Sequence, residues 1–244
     1  ITVGTSDLNL LAKAQTSGIG DSQSKSFSAI GISVLVVDST VDSTTLAEIA
    51  GNATIRSAGG NVTVRALATD NNAKSTVSSL GVGALSVQAS TPKAVVTATT
   101  KAGVEGEIVG IGQNRPGNIE VLAQANDRAE AASLSLGGGL ISVQSSTVTA
   151  ETTSTIAATI GGRVESAGTV SVTANGRSDA DTSSLSIGVG AVDVKDLVAT
   201  STVTPAVTAK VNASATVEAA GDVIISAEHG QTPPEYSDGT FDAP

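Results

Sequence analysis

A repeat of about fifty residues constrains this chain more than any other feature of its sequence. A strand-like phrase recurs as NVTVRALA at 61–68, NIEVLAQA at 118–125, TVSVTANG at 169–176 and DVIISAEH at 222–229, with a poorer copy at 7–14. Successive copies start 54, 57, 51 and 53 residues apart. Units this short bury a core by stacking on their neighbours. The sequence therefore predicts about four repeats of 51–57 residues (about 7–60, 61–117, 118–168 and 169–221) and the opening of a fifth from residue 222.

Within each repeat, apolar and polar residues alternate with a period of two. Val64, Val121, Val172 and Ile225 occupy one position of this alternation, and we expect all four to be buried. Such alternation is typical of strands with one buried face, and helical spacing is not sustained anywhere. We therefore predict one all-β domain over residues 1–229.

A glycine phrase recurs between the strands. It reads SSLGVGALSV at 78–87, SLSLGGGLISV at 133–143 and SLSIGVGAVDV at 184–194, with a worn copy at 26–36. These copies align Gly31, Gly81, Gly137 and Gly188 as central glycines. A dinucleotide site needs a third glycine and a following helix, whereas a Thr- and Ser-rich strand follows here. The phrase is therefore interpreted as a corner and not as a phosphate site.

Stacked repeats of this kind predict a β-solenoid in which each strand pairs with its copy in the next repeat. A coil of about 53 residues would have a perimeter of about 175 Å, which small side chains cannot fill if the cross-section is round. The coil is then either flattened, or each repeat makes two ordinary coils. A hairpin at the glycine phrase would instead give an antiparallel sandwich or prism.

Polar segments interrupt the alternation at matching places. Residues 69–74, 126–131 and 176–182 are rich in Asn, Asp and Gly, and we expect turns there. Pro92 and Pro205 indicate a second region of breaks, because proline suits strand edges and corners.

The acidic residues in these segments are the candidates for a metal site. Stacked turns would bring Asp127, Glu130, Asp179 and Asp181 into a carboxylate ladder of the kind that binds calcium. Solvated turns with neighbouring Lys and Arg partners are the simpler interpretation, and no other cofactor is expected. The sequence indicates no catalytic residue, and its single histidine, His229, is expected to be an exposed surface residue.

Threonines also recur in register and suggest an ice-binding array. Counted 16 and 18 residues from the central glycine, the pairs are Thr97 and Thr99, Thr153 and Thr155, Thr204 and Ala206, and in the first repeat Ala47 and Ile49. High β-propensity explains threonine in strands more simply.

Composition limits the classes of partner. The net charge is −10, which disfavours nucleic acid and anionic membranes. The chain has no cysteine, so disulfides and thiol chemistry are excluded, and no apolar run is long enough to insert into a membrane.

Residues 230–244 depart from the repeat and read as a linker or a cap. They hold three of the six prolines and two of the three aromatic residues. Those two, Tyr236 and Phe241, are candidate assembly contacts that would dock into a neighbouring copy.

The order of these phrases, from about Leu8 to Ala227, resembles the repeat regions of large secreted bacterial adhesins, including filamentous-haemagglutinin-like proteins. The resemblance implies a non-enzymatic structural or adhesive module, a stalk or filament segment, located outside the cell or on the bacterial surface. Its expected partners are neighbouring repeats or further copies of the chain, and a host or biofilm glycan or protein. The alternatives are a polysaccharide-active enzyme on a β-helix, and a calcium- or ice-binding repeat module.

Overall fold

The computed structural model describes residues 1–230, which form fourteen β-strands and no helix. The strands are β1 (Thr2–Gly4), β2 (Leu8–Phe27), β3 (Ile30–Ile49), β4 (Thr54–Ser57), β5 (Val62–Val82), β6 (Leu85–Val104), β7 (Glu107–Gly110), β8 (Ile119–Gly138), β9 (Ile141–Ile160), β10 (Arg163–Ser166), β11 (Val170–Val189), β12 (Val192–Val211), β13 (Thr216–Ala219) and β14 (Val223–His229). None of these residues lies in a helix that is long and apolar enough to cross a membrane.

The strands form three parallel sheets. The first long sheet contains β2, β5, β8, β11 and β14; the second long sheet contains β3, β6, β9 and β12; and the short sheet contains β1, β4, β7, β10 and β13. One coil passes once through the first long sheet, the second long sheet and the short sheet. The predicted β-solenoid is confirmed. The two long sheets pack face to face, so of the two alternatives left open by the sequence the coil is flattened, with one repeat per coil.

The predicted stacking of the strand phrase is also confirmed. Val62 pairs with Ile119, and Ile119 pairs with Val170, in parallel ladders. The alternative of a hairpin at the glycine phrase is wrong, because the strands on either side of that phrase belong to different sheets.

Two-residue connections at 28–29, 83–84, 139–140 and 190–191 join the two long strands of each coil. Gly81, Gly137 and Gly188 pair with one another just before this connection, as expected. Gly31 is not their counterpart, because the ladder places Ser26 beside Gly81 and pairs Gly31 with Ser86 in the second long sheet. The alignment of the worn first copy was therefore wrong by five residues.

The turns predicted at 69–74, 126–131 and 176–182 do not exist. All three segments lie inside the long strands β5, β8 and β11, because their polar side chains find partners in neighbouring coils and in the facing sheet. The only register shift among the long strands is in β5, which has 21 residues where the corresponding strands have 20, and Thr69 is the residue left out of the pairing with β2.

The breaks predicted at Pro92 and Pro205 are absent as well. Pro92 lies inside β6, where pairing with β9 is interrupted only between Ser90 and Lys93. Pro205 lies in β12, the last strand of its sheet, where a missing N–H leaves no neighbour unpaired.

The core fills the half of the coil next to the short sheet. Val64, Val121 and Val172 are fully buried there, as predicted. The fourth member, Ile225, is 50% exposed, so that prediction was wrong. Ile225 lies on β14, the last described strand of its sheet, which pairs on one side only.

Candidate functional site

At the edge of the solenoid that contains the glycine phrase, polar residues face inward and apolar residues face outward, which is the reverse of the usual arrangement. Along β8, the inward positions next to the turn are Ser133, Ser135 and Gly137, while Leu134 and Leu136 lie at outward positions. After the turn, Ser142 and Gln144 are buried and Ile141 is exposed. Polar residues therefore fill the interior at this edge, and apolar residues cover its surface.

The polar interior is held together by hydrogen bonds between the two long sheets. Ser79 Oγ donates to Gln88 Oε1 over 2.9 Å, and Gln88 Nε2 donates to the carbonyl oxygen of Leu136 over 2.7 Å. Ser90 and Ser133 share a hydrogen bond of 2.6 Å across the same gap. These contacts satisfy buried polar groups that would otherwise destabilise the fold.

The interior is thin at this edge because only two residues connect the sheets. A Cβ at Gly81 would lie 2.5 Å from both Gln88 Nε2 and Ser86 Oγ, so glycine provides the space that the glutamine occupies. The glycine at this position is required by close packing and not by a left-handed backbone, since Gly81 has no positive φ. The first glycine of the phrase is thus part of the inter-sheet contact.

The outward side chains on both sides of this turn form a continuous apolar surface, which we call the apolar ridge. On the second long sheet it consists of two rows, each with one residue per coil. On the outer face of the first long sheet it continues over the last two outward positions before the turn, where six of the eight residues are Leu, Ile, Val or Phe and the others are Lys25 and Gly138. The ridge comprises Ile30, Leu85, Ile141 and Val192; Ile32, Val87, Val143 and Val194; Leu80, Leu136 and Ile187; and Phe27, Val82 and Val189.

Much of the ridge is open to solvent. Ile30 is 65% exposed, Ile32 is 68% exposed and Val192 is 51% exposed. All eight positions in the two rows on the second long sheet are Ile, Leu or Val, although none of them contributes to the interior. A contiguous apolar surface of this kind usually marks an interaction site.

The ridge was not predicted from the sequence, although the signal is present there. Strand β8 has no bulge, so counting by twos from the buried Ile119 reaches Ser133 and Ser135 on the inward side. The leucines of SLSL must then face outward. The turn that was expected at 126–131 broke this count and concealed the inversion.

Asp127 is a buried carboxyl in the middle of the interior. Its Oδ1 accepts a hydrogen bond from Asn71 Nδ2 over 2.7 Å, and its Oδ2 accepts one from Ser154 Oγ over 2.5 Å. Burial raises the pKa of Asp127 above its ordinary value of 3.8, and the two hydrogen bonds offset part of that rise. This polar layer separates the main core from the smaller cluster of Val41, Val96 and Val148.

The four calcium candidates do not converge on one site, although Glu130 and Asp181 are ladder partners and both contact Arg128. Asp127 faces inward, while Glu130, Asp179 and Asp181 lie on the outer face of the first long sheet. There Glu130 pairs with Lys74 at 3.2 Å, Asp181 with Arg128 at 3.5 Å and Asp179 with Arg177 at 3.0 Å. Within residues 1–230, no three His, Asp or Glu side chains are arranged to hold a metal ion.

The threonine array lies on the outer face of the second long sheet, but its first coil was misaligned. Thr97 pairs with Thr153 and Thr153 with Thr204, while Thr99 pairs with Thr155 and Thr155 with Ala206. The first-coil partners are Asp42 and Thr44. Ala47 and Ile49 are buried instead. This error follows from the misplaced Gly31.

The remaining candidates contribute no assembled site. His229 is exposed at an inward position of β14, whereas Ser226 and Glu228 lie on the opposite face of that strand. Ser226 Oγ donates to Glu228 Oε1 over 3.1 Å without involving the histidine. Tyr236 and Phe241 lie outside the described residues.

No family model, curated protein or solved structure matches this chain.

Proposed function

We propose that this chain is a structural segment of an exported bacterial surface protein, in which it acts as a stalk or filament unit without enzymatic activity. The observation that carries this proposal is the parallel pairing of each coil with the next. From Val170 to Val189, each residue of β11 has a partner in β8. From Val192 to Val211, each residue of β12 has a partner in β9.

Because each coil pairs with the next, the number of coils sets the length of the solenoid along its axis. Each added coil extends the solenoid by one strand spacing, about 4.8 Å, and provides two further long ladders. The outer faces can vary without loss of the fold, because the interior and the ladders hold each coil. These are the properties that a spacer requires.

The surface depression with the greatest volume among those described is an open one of about 400 Å³ on the outer face of the second long sheet. Its lining includes Lys101, Glu105 and Lys210. Glu105 Oε1 already accepts a hydrogen bond from Thr159 Oγ1 over 3.2 Å. This depression is the place at which the alternative of a polysaccharide-active enzyme can be tested.

The test is to insert a second copy of residues 118–168 directly after residue 168. A spacer is expected to stay folded, and the distance along the stack between nitroxide labels at Asn9→Cys and Ile224→Cys, which lie in one outward row, should increase from about 19 Å to about 24 Å. The control insertion carries the same residues in scrambled order and should unfold or aggregate.

Two results would contradict the proposed function. One is a duplicated chain that unfolds like the scrambled control. The other is release of new sugar ends from a polysaccharide panel by the parent chain, with loss of that release in Glu105→Gln. Antibody labelling of intact producing cells tests the expected location.

A further inference from the structure

We propose that one internal water molecule is bound between the two long sheets, where it joins Thr45, Thr100 and Asn71. This goes beyond a role as a spacer, because it assigns a ligand and its site to the interior of the first two coils. The starting observation is that Thr45 Oγ1, Thr100 Oγ1 and Asn71 Oδ1 are buried and have no hydrogen-bond partner within residues 1–230. Buried oxygens of this kind usually bind ordered water.

The three side chains converge on one place. Thr45 and Thr100 are ladder partners, so their positions on the inner face of the second long sheet lie one strand spacing, about 4.8 Å, apart. Strand β5, which carries Asn71, packs against both β3 and β6 and therefore lies opposite the gap between them. A molecule in that gap can contact both hydroxyls and the amide oxygen.

The next coil shows where Asn71 lies along the strands. Asp127, the ladder partner of Asn71, accepts a hydrogen bond from Ser154 in the facing sheet. The ladder partner of Ser154 is Ala98, so Asn71 faces Ala98, and Thr100 is the next inward residue. Because Ala98 has no hydroxyl to take the part of Ser154, the amide oxygen of Asn71 needs another donor.

The row of the two threonines leaves room for a small molecule. In the next coil this row continues with Ile156, whose Cδ1 lies against the position that a Cβ of Gly176 would take in the facing sheet. Gly176 belongs to the row of Ala125 and Ala68. Threonine lacks the Cδ1 of isoleucine, and Ala68 opposite it is also small.

The donors and acceptors at this place fit water better than a metal ion. A hydroxyl both donates and accepts, whereas an amide oxygen only accepts, so a water can donate to Asn71 Oδ1 and still bond to both threonines. Divalent cations prefer carboxylate ligands. Both oxygens of Asp127, the carboxyl that contacts Asn71, already accept hydrogen bonds.

The water would extend an existing chain of hydrogen bonds through all four coils. Asn71 and Ser154 donate to Asp127, and Ser178 Oγ donates to Ser154 Oγ over 3.0 Å. With the water, this chain runs from Thr45 in the first coil to Ser178 in the fourth. A donor at Asn71 Oδ1 also keeps the amide oriented with its N–H groups toward Asp127.

The experiment counts long-lived internal water molecules in the full chain by magnetic relaxation dispersion of the water signal. The variant carries Thr45→Val and Thr100→Val, which keep shape and β-propensity and remove both hydroxyls. The matched control is Thr152→Val. Thr152 is a buried threonine of the same sheet, and its hydroxyl donates to the carbonyl oxygen of Asp179 over 2.7 Å.

We expect the double variant to lose the signal of one internal water and the control to lose none. The urea midpoint of the double variant should fall, because Asn71 Oδ1 is then left without a donor. If the double variant does not fold, Thr100→Val alone replaces it, with the same expected loss.

An unchanged water count in the variant would overturn the proposal, and a higher urea midpoint would show that the hydroxyls are dry. An equal loss of signal in the control would overturn it too. So would a parent whose urea midpoint rises when sodium replaces choline at constant ionic strength, which would assign the site to a cation. None of these results depends on whether the chain lengthens on coil duplication, so the two proposals can fail separately.

Discussion

The side-chain amide of Gln144 crosses from the second long sheet to the first and donates from Nε2 to the backbone carbonyl oxygen of Ile187, over 2.9 Å. Gln88, its ladder partner one coil earlier, makes the same contact with the carbonyl oxygen of Leu136. The repetition shows that an amide bridge ties the long sheets together at the edge where apolar side chains face outward.

The first prediction concerns the fit between this amide and the glycine beneath it. Gly137→Ala places a Cβ against Gln144 Nε2 and should lower the free energy of unfolding by about 1–3 kcal/mol. Gln144→Ala removes the bridge and should cost about 2–3 kcal/mol. In the double variant the clash with the amide is gone and only the contact with Ser142 Oγ remains, so urea denaturation should show a loss smaller than the sum of the two. Strict additivity would contradict the packing described here.

The second prediction tests the core of the stack. Val172→Asp places an unpaired charge in a fully buried position and should lower the free energy of unfolding by about 3–5 kcal/mol. The control is Ser171→Asp, one residue away at an outward position, and its effect should stay below about 1 kcal/mol. Thermal and urea unfolding measure both. Equal stabilities of the two variants would mean that Val172 does not face inward.

The third prediction concerns the pH dependence of stability. The pKa of Asp127 is raised by burial, so the folded state binds its proton more tightly than the unfolded state. Ionisation of Asp127 therefore lowers stability as the pH rises from 3.8 through the raised pKa, and the loss is complete above that pKa.

Asp127→Asn keeps the shape and removes the ionisation. The difference in free energy of unfolding between the variant and the parent should favour the variant most at neutral pH. This difference should become smaller as the pH falls through the raised pKa, and it should stay constant below 3.8, where Asp127 is protonated in both the folded and the unfolded state. Glu130→Gln, at an outward position, is the control. A difference between Asp127→Asn and the parent that does not change with pH would show that Asp127 does not titrate in this way.

The sequence predicted the period, the all-β class and the stacking, because these depend on alternation and on spacing within one chain. Val64, Val121 and Val172 were correctly placed in the core for that reason. The worn copy around Gly31 was misaligned because only the ladder shows that Ser26 occupies the glycine position.

Alternation and spacing alone did not predict that the polar segments lie inside strands or that the apolar ridge faces outward. Asn71 and Asp127 resemble turn residues locally, yet a hydrogen bond between coils allows them inside strands. Sequence patterns do not show which polar residues have such partners. The expected turns therefore hid the continuous strands, and with them the outward direction of Leu134 and Leu136.

The fourth prediction uses the single register shift of the long strands, which lies in β5. Thr69 is the extra residue of β5 and has no ladder partner in β2, where only its hydroxyl makes a contact by donating to the carbonyl oxygen of Ala14 over 3.3 Å. Its deletion should therefore leave the ladders on both sides in register. Stability should change by less than about 1 kcal/mol. Deletion of Thr76, within the regular part of β5, would move one side of the strand to the wrong face and should abolish cooperative unfolding. Equal tolerance of both deletions would contradict this register.

The inverted edge is tested most directly by thiol labelling at two adjacent residues, since the chain has no cysteine of its own. Ile141→Cys and Ser142→Cys are each treated with a maleimide at a protein concentration low enough to keep the chain monomeric. The structure predicts rapid labelling at position 141, which is exposed, and strong protection at position 142, which is fully buried, with release of that protection only on unfolding. Rapid labelling at 142 with protection at 141 would show that serine faces outward and isoleucine inward, and the apolar ridge would not exist.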